Sequence, residues 1–395
     1  MQDALIIGAV RTPVGRREGA LLDVHPVDLL ATPLAELVTR TGVDPGTIDD
    51  HIAGCVSQVG EQSLNVARNA WLAAGLPEHV PSATIDRQCG SSQQAVAFAA
   101  QGIQAGAYDL VVASGLEHMS RVPMYSSTAG KQAASERLIE AYGGRLVHQG
   151  ISADLIAERW KVSRDEQDDF AFGSHERAGA AIRAGHFAHE TVAVPTPAGA
   201  FEIDECVRME PDRGRMGTLG PAFQDERYDE LFPGQLGWTI TAANASQISD
   251  GAGALLLAST SKTEELGVRP LARVVASVAV GDDPVLMLTG PIPATRKLLE
   301  RTGLSLADID IVEINEAFAS VVLAWQRELD IDDAWFDAHV NPSGGAIALG
   351  HPLGASGARL MTTLVHGLQR TGGRWGLQVM CEAGGMANAT LVERL

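Results

Sequence analysis

The chain is expected to fold as an α/β protein made of two copies of one unit, with a long insertion between them. Three observations predict this: short β-branched runs alternate with Ala-rich helical stretches, three segments recur in one order at a similar offset, and the composition changes character between about Met119 and Ala243. Alternating strand and helix patterns indicate mainly parallel sheets covered by helices. At 395 residues, the chain exceeds the size at which one hydrophobic core usually keeps growing.

The first strand is read at Ala4-Leu-Ile-Ile-Gly-Ala-Val10, and its pattern returns at Ala272-Arg-Val-Val-Ala-Ser-Val278. Next, Thr41-Gly-Val-Asp-Pro-Gly-Thr-Ile-Asp49 aligns without a gap on Thr302-Gly-Leu-Ser-Leu-Ala-Asp-Ile-Asp310. A helix-like stretch is read over Ser92 to Gly106, with Gly106 as its stop. Asp109-Leu-Val-Val-Ala-Ser-Gly115 then matches Gly376-Leu-Gln-Val-Met-Cys-Glu382. One such match could be chance; three in register suggest duplication. Cys89 in the first copy and His351 in the second fall at comparable places, each between an apolar strand-like run and a helix-like run.

Residues 119–243 carry charged helices and Gly/Pro-bearing loops, and are read as an insertion covering a site that the two copies build, with a separate third domain as the alternative. The halves are drawn as 1–118 with 244–269, and 270–395.

Composition excludes several functions. A formal charge of −19 argues against a nonspecific nucleic-acid binder, which needs a basic surface, but small anionic ligands remain compatible. No uninterrupted apolar run is long enough to cross a bilayer. The N-terminus lacks a basic leader and cleavage site, so a cytoplasmic location is expected. Four cysteines, widely spaced and without a CxxC, fit reduced thiols better than disulfides or a zinc site. Cys55 and Cys206 are read as structural.

The chemistry-bearing segments stand out by their glycines and their polar strand ends. Asn341 to Arg359 places five glycines and two prolines around His351, a backbone built for close approach or positive φ. Cys89 enters the Ala-rich helix from an apolar run, where helix dipoles are expected to lower its pKa and enrich nucleophilic thiolate. Cys381 closes the run Leu377-Gln-Val-Met and precedes Ala383-Gly-Gly, whose N–H groups could bind an oxyanion; a buried thiol before a turn is the alternative. Asn315 ends Ile311-Val-Glu-Ile, as a crevice residue or a helix cap.

With these residues in view, the chain resembles the thiolases, coenzyme A-dependent acyltransferases that make or cleave 3-ketoacyl-CoA. The resemblance runs end to end and rests on the Cys89 segment, Asn315-Glu-Ala-Phe318, Gly344 to Gly357, and the Cys381 segment. Asp86-Arg-Gln-Cys-Gly-Ser-Ser-Gln-Gln94 and Met287-Leu-Thr-Gly-Pro-Ile-Pro-Ala-Thr295 look most like actinobacterial catabolic thiolases, including those of steroid degradation.

The resemblance implies two mixed sheets with helices in a five-layer arrangement, and CoA-dependent thiolysis of 3-ketoacyl-CoA to acetyl-CoA or propionyl-CoA and a shortened acyl-CoA. Cys89 would be acylated, with His351 accepting its proton and Cys381 exchanging a proton with the α-carbon. Asn315 would anchor a water that, with His351, stabilises the enolate oxygen. The N–H groups of Cys89 and Ala383 would form a second oxyanion site. His148 and Ser246 would contact CoA, and Phe318 would line the pantetheine tunnel.

CoA enters as co-substrate; no metal or permanently bound cofactor is implied, and a homodimer or homotetramer is. Two departures stand out. The family usually has glycine where this chain has Ala383, so a positive φ there would strain the backbone. Arg213 to Pro233 fits the family pattern poorly, leaving the arginine for the CoA phosphates unassigned. A ketosynthase-like condensing enzyme, against which the second cysteine speaks, and a catalytically silent acyl-CoA-binding subunit are the competing readings.

Overall fold

The computed structural model describes residues 2–395; Met1, which opens the expected first half, lies outside them. In chain order the strands are β1 (Ala4–Arg11), β2 (Gly15–Arg16), β3 (Asp50–Gly54), β4 (Ser82–Ile85), β5 (Leu110–His118), β6 (Val194–Thr196), β7 (Gly199–Phe201), β8 (Ser249–Ser259), β9 (Ala272–Gly281), β10 (Ile311–Ile314), β11 (Trp375–Glu382) and β12 (Met386–Arg394).

The recurrences seen in the sequence fall on equivalent elements. One wing of the sheet runs β4-β3-β5-β8-β1, and the other β10-β11-β12-β9. The ladders match in sense: β1–β8 and β9–β12 are antiparallel, β8–β5 and β12–β11 antiparallel, β5–β3 and β11–β10 parallel. Even β4, parallel to β3, has a vestigial counterpart in the bridge between Val312 and Val340. Gly42 and Gly303, the shared Thr-Gly pair, both end helices in the left-handed conformation, which glycine adopts without a Cβ penalty.

One expectation needs correcting. The sheets are not mainly parallel, because strand sense follows from the connections: β11 returns directly into β12 through a tight turn, and β8 is reached only after the insertion. The two wings are both mixed, as expected, and join at one edge; β6 and β7 form a small sheet of their own. The first strand of each half meets the other over Ala4↔Val274, Leu5↔Arg273 and Ile6↔Ala272, closing two open edges into one ten-stranded sheet.

Helix Pro26–Thr41 packs on β1 and β8, and helix Pro291–Thr302 packs correspondingly on β9 and β12. Between the wings lie helices Ser91–Gln104 and Ser356–Thr371, in contact with each other and with strands of both wings. Both are buried nearly all round, as their small and apolar residues allow. They meet closely at their N-terminal ends: a Cβ on Gly357 would lie 2.3 Å from the Gln93 nitrogen, and the Ala358 N–H donates to Ser92 Oγ at 2.8 Å. Duplication therefore aims the residues preceding these two helices, Cys89 and His351, at one place. No helix among the described residues is long and apolar enough to cross a membrane.

Candidate active site

Cys89 sits in a tight turn between β4 and the central helix Ser91–Gln104. Asp86 Oδ1 accepts from the Gln88 N–H at 2.7 Å, while Ser91 Oγ accepts from the Arg87 N–H and donates to the Gln88 carbonyl. Gln88 is held at φ 49°, a left-handed conformation that costs an L-residue about 1 kcal/mol. The turn leaves Cys89 only 4% exposed, packed against Met119, Leu353, Leu360 and Met380.

His351 follows Gly350, whose φ of 94° and tight surroundings demand glycine; a Cβ there would come within 3.0 Å of Val14, Ser249 and Cys206. The Ser356 hydroxyl donates to the Pro352 carbonyl at 2.9 Å, so its oxygen accepts from His351 Nδ1–H at 2.6 Å. This fixes the tautomer: Nε2 carries no proton and presents its lone pair to the site. Facing it, Asn315 Nδ2 lies 3.4 Å from His351 Nε2 and 3.6 Å from Cys381 Sγ. Asn315 follows β10 and Cys381 ends β11, the parallel neighbour, so adjacent strand ends deliver the amide and the thiol together. Asn315 Oδ1 is buried with no protein partner.

The electrostatics depart from one expectation. Burial pushes the Cys89 thiol well above its ordinary range; Cys381 and Glu382 push it further. The N–H groups of Cys89 and Ala383 pull the other way without prevailing. The helix start is present, but the desolvation of a sulfur walled in by methionine and leucine outweighs its dipole. Burial likewise raises Cys381 to about 11, against the opposing donation from Asn315. His351 is lowered to about 3 by burial and then by the charge of Arg359. The resting site is thus neutral: two thiols and an unprotonated imidazole.

Ala383 is not strained. Positive φ falls on Gly384 (86°) and Gly385 (76°), leaving Ala383 outside the left-handed region with its N–H directed at Cys89. Cys55 and Cys206 are buried free thiols; Gln62 Nε2 donates to Cys55 at 3.4 Å, and Cys206 abuts Gly350.

A cavity of about 590 Å³ opens above these groups, lined by His351, Leu353, Met119, Ala317 and Phe318 from the site, and by His148 and Ser246. Segment 119–243 supplies much of its wall. The expected CoA-contacting residues are therefore brought to one passage. His148 Nδ1 accepts from the Gly150 N–H, leaving its other nitrogen as the donor.

Sequence reasoning missed Phe223, whose ring lies 5.1 Å from His148 and 6.2 Å from Phe318 and completes an aromatic wall. Ser356 was within the glycine-rich segment, and its place at the start of the helix that follows His351 was the available signal. Arg16 and Arg17 line the same cavity, and Arg16 also borders a second cavity of about 660 Å³ holding Arg208 and Arg215. Arg213 is committed to Asp165 and Asp169; Arg16 pairs with Glu205 at 3.0 Å and Arg17 with Glu18 at 3.6 Å, both on the exposed surface. Among the described residues, no group of three or more His, Cys, Asp or Glu side chains is arranged to hold a metal ion.

Comparison with known proteins agrees with this geometry. Residues 4–261 match the thiolase N-terminal domain and residues 268–394 the thiolase C-terminal domain. The chain is 51% identical to a steroid 3-ketoacyl-CoA thiolase of Mycobacterium tuberculosis, over all of this chain and 95% of that protein. It is 42% identical to a beta-ketoadipyl-CoA thiolase of Escherichia coli and 41% identical to a 3-ketoacyl-CoA thiolase of Yersinia pestis, each over the full length of both chains. Two end-to-end domain matches and full-length relatives place this chain in the thiolase family.

Proposed function

We propose that the protein cleaves 3-ketoacyl-CoA with coenzyme A, through an acyl group carried on Cys89. The observation that supports this most is the Asn315 amide, which links His351 Nε2 and Cys381 Sγ beside a second buried thiol. Carbon–carbon cleavage needs a nucleophile for the ketone and an acid for the departing carbanion, and one thiol cannot be both.

In this reading Cys89 attacks the 3-keto carbon as its proton passes to His351 Nε2. A neutral imidazole and a high thiol pKa favour transfer concerted with attack over a standing ion pair. The bond between C2 and C3 then breaks, its electron pair forming the enolate of acetyl-CoA or propionyl-CoA, and Cys381 gives its proton to C2. Asn315, through a water accepted at its free Oδ1, and protonated His351 stabilise the enolate oxygen. The N–H groups of Cys89 and Ala383 hold the oxyanion on the acyl carbon, a pair whose donors are worth about 3 kcal/mol each. Incoming CoA loses its thiol proton to the Cys381 thiolate and attacks the acyl-Cys89 carbonyl; the Cys89 sulfur departs, regains its proton from His351, and the shortened acyl-CoA is released.

His148, Ser246, Phe318 and Phe223 would border the pantetheine arm, with Arg16, Arg17 and Arg208 supplying cationic charge for the CoA phosphates. We infer a cytoplasmic homo-oligomer whose two halves divide near residues 118, 243 and 269, with 119–243 covering the site. The exposed Leu64 and Phe98 provide apolar surface for a second copy. The higher identity to the relative named a steroid 3-ketoacyl-CoA thiolase favours a steroid-derived 3-ketoacyl-CoA as the first substrate to try, beside a plain 3-ketoacyl-CoA. The test is thiolysis of acetoacetyl-CoA and of a longer 3-ketoacyl-CoA by wild type and Cys89→Ala. Turnover by the wild type alone is expected; equal rates on every substrate would leave a silent acyl-CoA binder.

A further inference from the structure

Near Cys89, and outside the lining of the cavity, lies a cluster of polar atoms that the reaction above does not use. Glu382 is fully buried, and neither of its carboxyl oxygens has a partner. Asn388, on β12, is 2% exposed; its Nδ2 donates to Gln94 Oε1 at 3.3 Å, which turns its unpartnered Oδ1 inward. Both oxygens converge on Gly90: a Cβ there would lie 1.9 Å from Glu382 Oε1 and 2.3 Å from Asn388 Oδ1. Two acceptors brought to one buried spot repel unless a proton stands between them. A neutral Glu382 carboxyl supplies it. The isosteric space is there only because residue 90 is glycine.

We propose that Glu382 is a positioning residue for the nucleophile: a carboxyl that is protonated at neutral pH, donates to Asn388 Oδ1, and on ionising suppresses the thiolate of Cys89. This rests on the reading of Cys89 as the nucleophile. The charged and titratable groups facing Glu382 are Arg87 and Asp86 on the turn that carries Cys89, with Cys89 itself and neighbouring Cys381. Burial pushes Glu382 up to about 8, with Arg87 opposing and Asp86 assisting. A negative charge there raises both thiols, so the sign is fixed: below about pH 8 the carboxyl is neutral and silent, and above it the carboxylate holds protons on the sulfurs.

The test is the rate of Cys89 alkylation by iodoacetamide, followed by peptide mass on the full-length enzyme from about pH 6 to about pH 10, for wild type and Glu382→Gln. The glutamine donates to Asn388 as the neutral acid does, so the two rates should agree near neutrality. Above about pH 8 the variant should pull ahead, by about tenfold for each unit by which the charge had raised the thiol. Superimposed profiles, or a variant slower throughout, would overturn the proposal. Glu382→Met, also uncharged, gives the same readout if the glutamine variant does not fold. Alkylation needs no substrate, so its outcome is separate from whether Cys89 is acylated by 3-ketoacyl-CoA.

Discussion

The two halves share a strand order and a central helix but divide the chemistry unequally. At the end of β3 the first half places Cys55, sealed by Gln62; at the end of β10 the second half places Asn315 with an unpartnered oxygen. Ser114 on β5 bonds His51 Nε2 at 2.7 Å, whereas Cys381, near the end of β11, faces Asn315. Each half buries one histidine driven down to about 3, His51 and His351. His51 is pinned between Ser82 and Ser114; His351 is held by Ser356 at Nδ1, and its Nε2 faces only the Asn315 amide at 3.4 Å. The frame is symmetric, and function depends on which polar atoms are left without a structural partner.

The sharpest way to break this comparison is to remove the one reactive group of the first half. Cys89→Ala should lower kcat by about 10⁴-fold or more, measured by thiolysis of a 3-ketoacyl-CoA. In the second half, Cys381→Ala should lower kcat by about 10² to 10⁴-fold while Cys89 is still acylated by simple acyl-CoA, visible by mass. Asn315→Ala should cost about 10²-fold in kcat with little change in KM under the proposed role of its free oxygen on the enolate; a KM effect alone would place it in binding.

The histidine pair gives a smaller, pH-dependent effect. Each has a folded pKa near 3 against 6.5 for the free side chain, so the unfolded chain takes up the protons first as pH falls. Stability is complete above about pH 6.5 and lost on acidification towards pH 3, at about 1.4 kcal/mol per pH unit for each histidine. Urea unfolding across that range should show a shallower slope for His51→Asn and His351→Asn alike, with thiolysis abolished only in the latter. The smallest effect belongs to Ala383→Gly. With positive φ carried by Gly384 and Gly385, the substitution should change kcat by less than about twofold. A large gain would mean that the alanine strains the oxyanion site after all.

Much of this was legible from residues alone. The duplication survives because strand β-branching and the Thr-Gly helix stops are set locally, and glycine-rich turns mark where Cys89 and His351 must come close to something. Strand direction was not legible, because β8 takes its place between β1 and β5 only after more than a hundred residues of intervening chain. The thiol pKa was misjudged for a related reason: a helix dipole can be read from sequence, but the walls around Cys89 come from Met119, Leu353, Leu360 and Met380, distant along the chain. Phe223, Ser356 and Glu382 act through spatial neighbours, and no local pattern announces them.

The central claim is that two sulfurs and an imidazole from distant segments serve one thioester, with Cys89 as the carrier. Peptide mapping by mass spectrometry after brief incubation with a 3-ketoacyl-CoA in the absence of free CoA tests this directly. The account predicts an acyl adduct on the Cys89 peptide alone, discharged on adding CoA. An adduct on Cys381 or Cys55, or turnover with no adduct on any thiol, would contradict it.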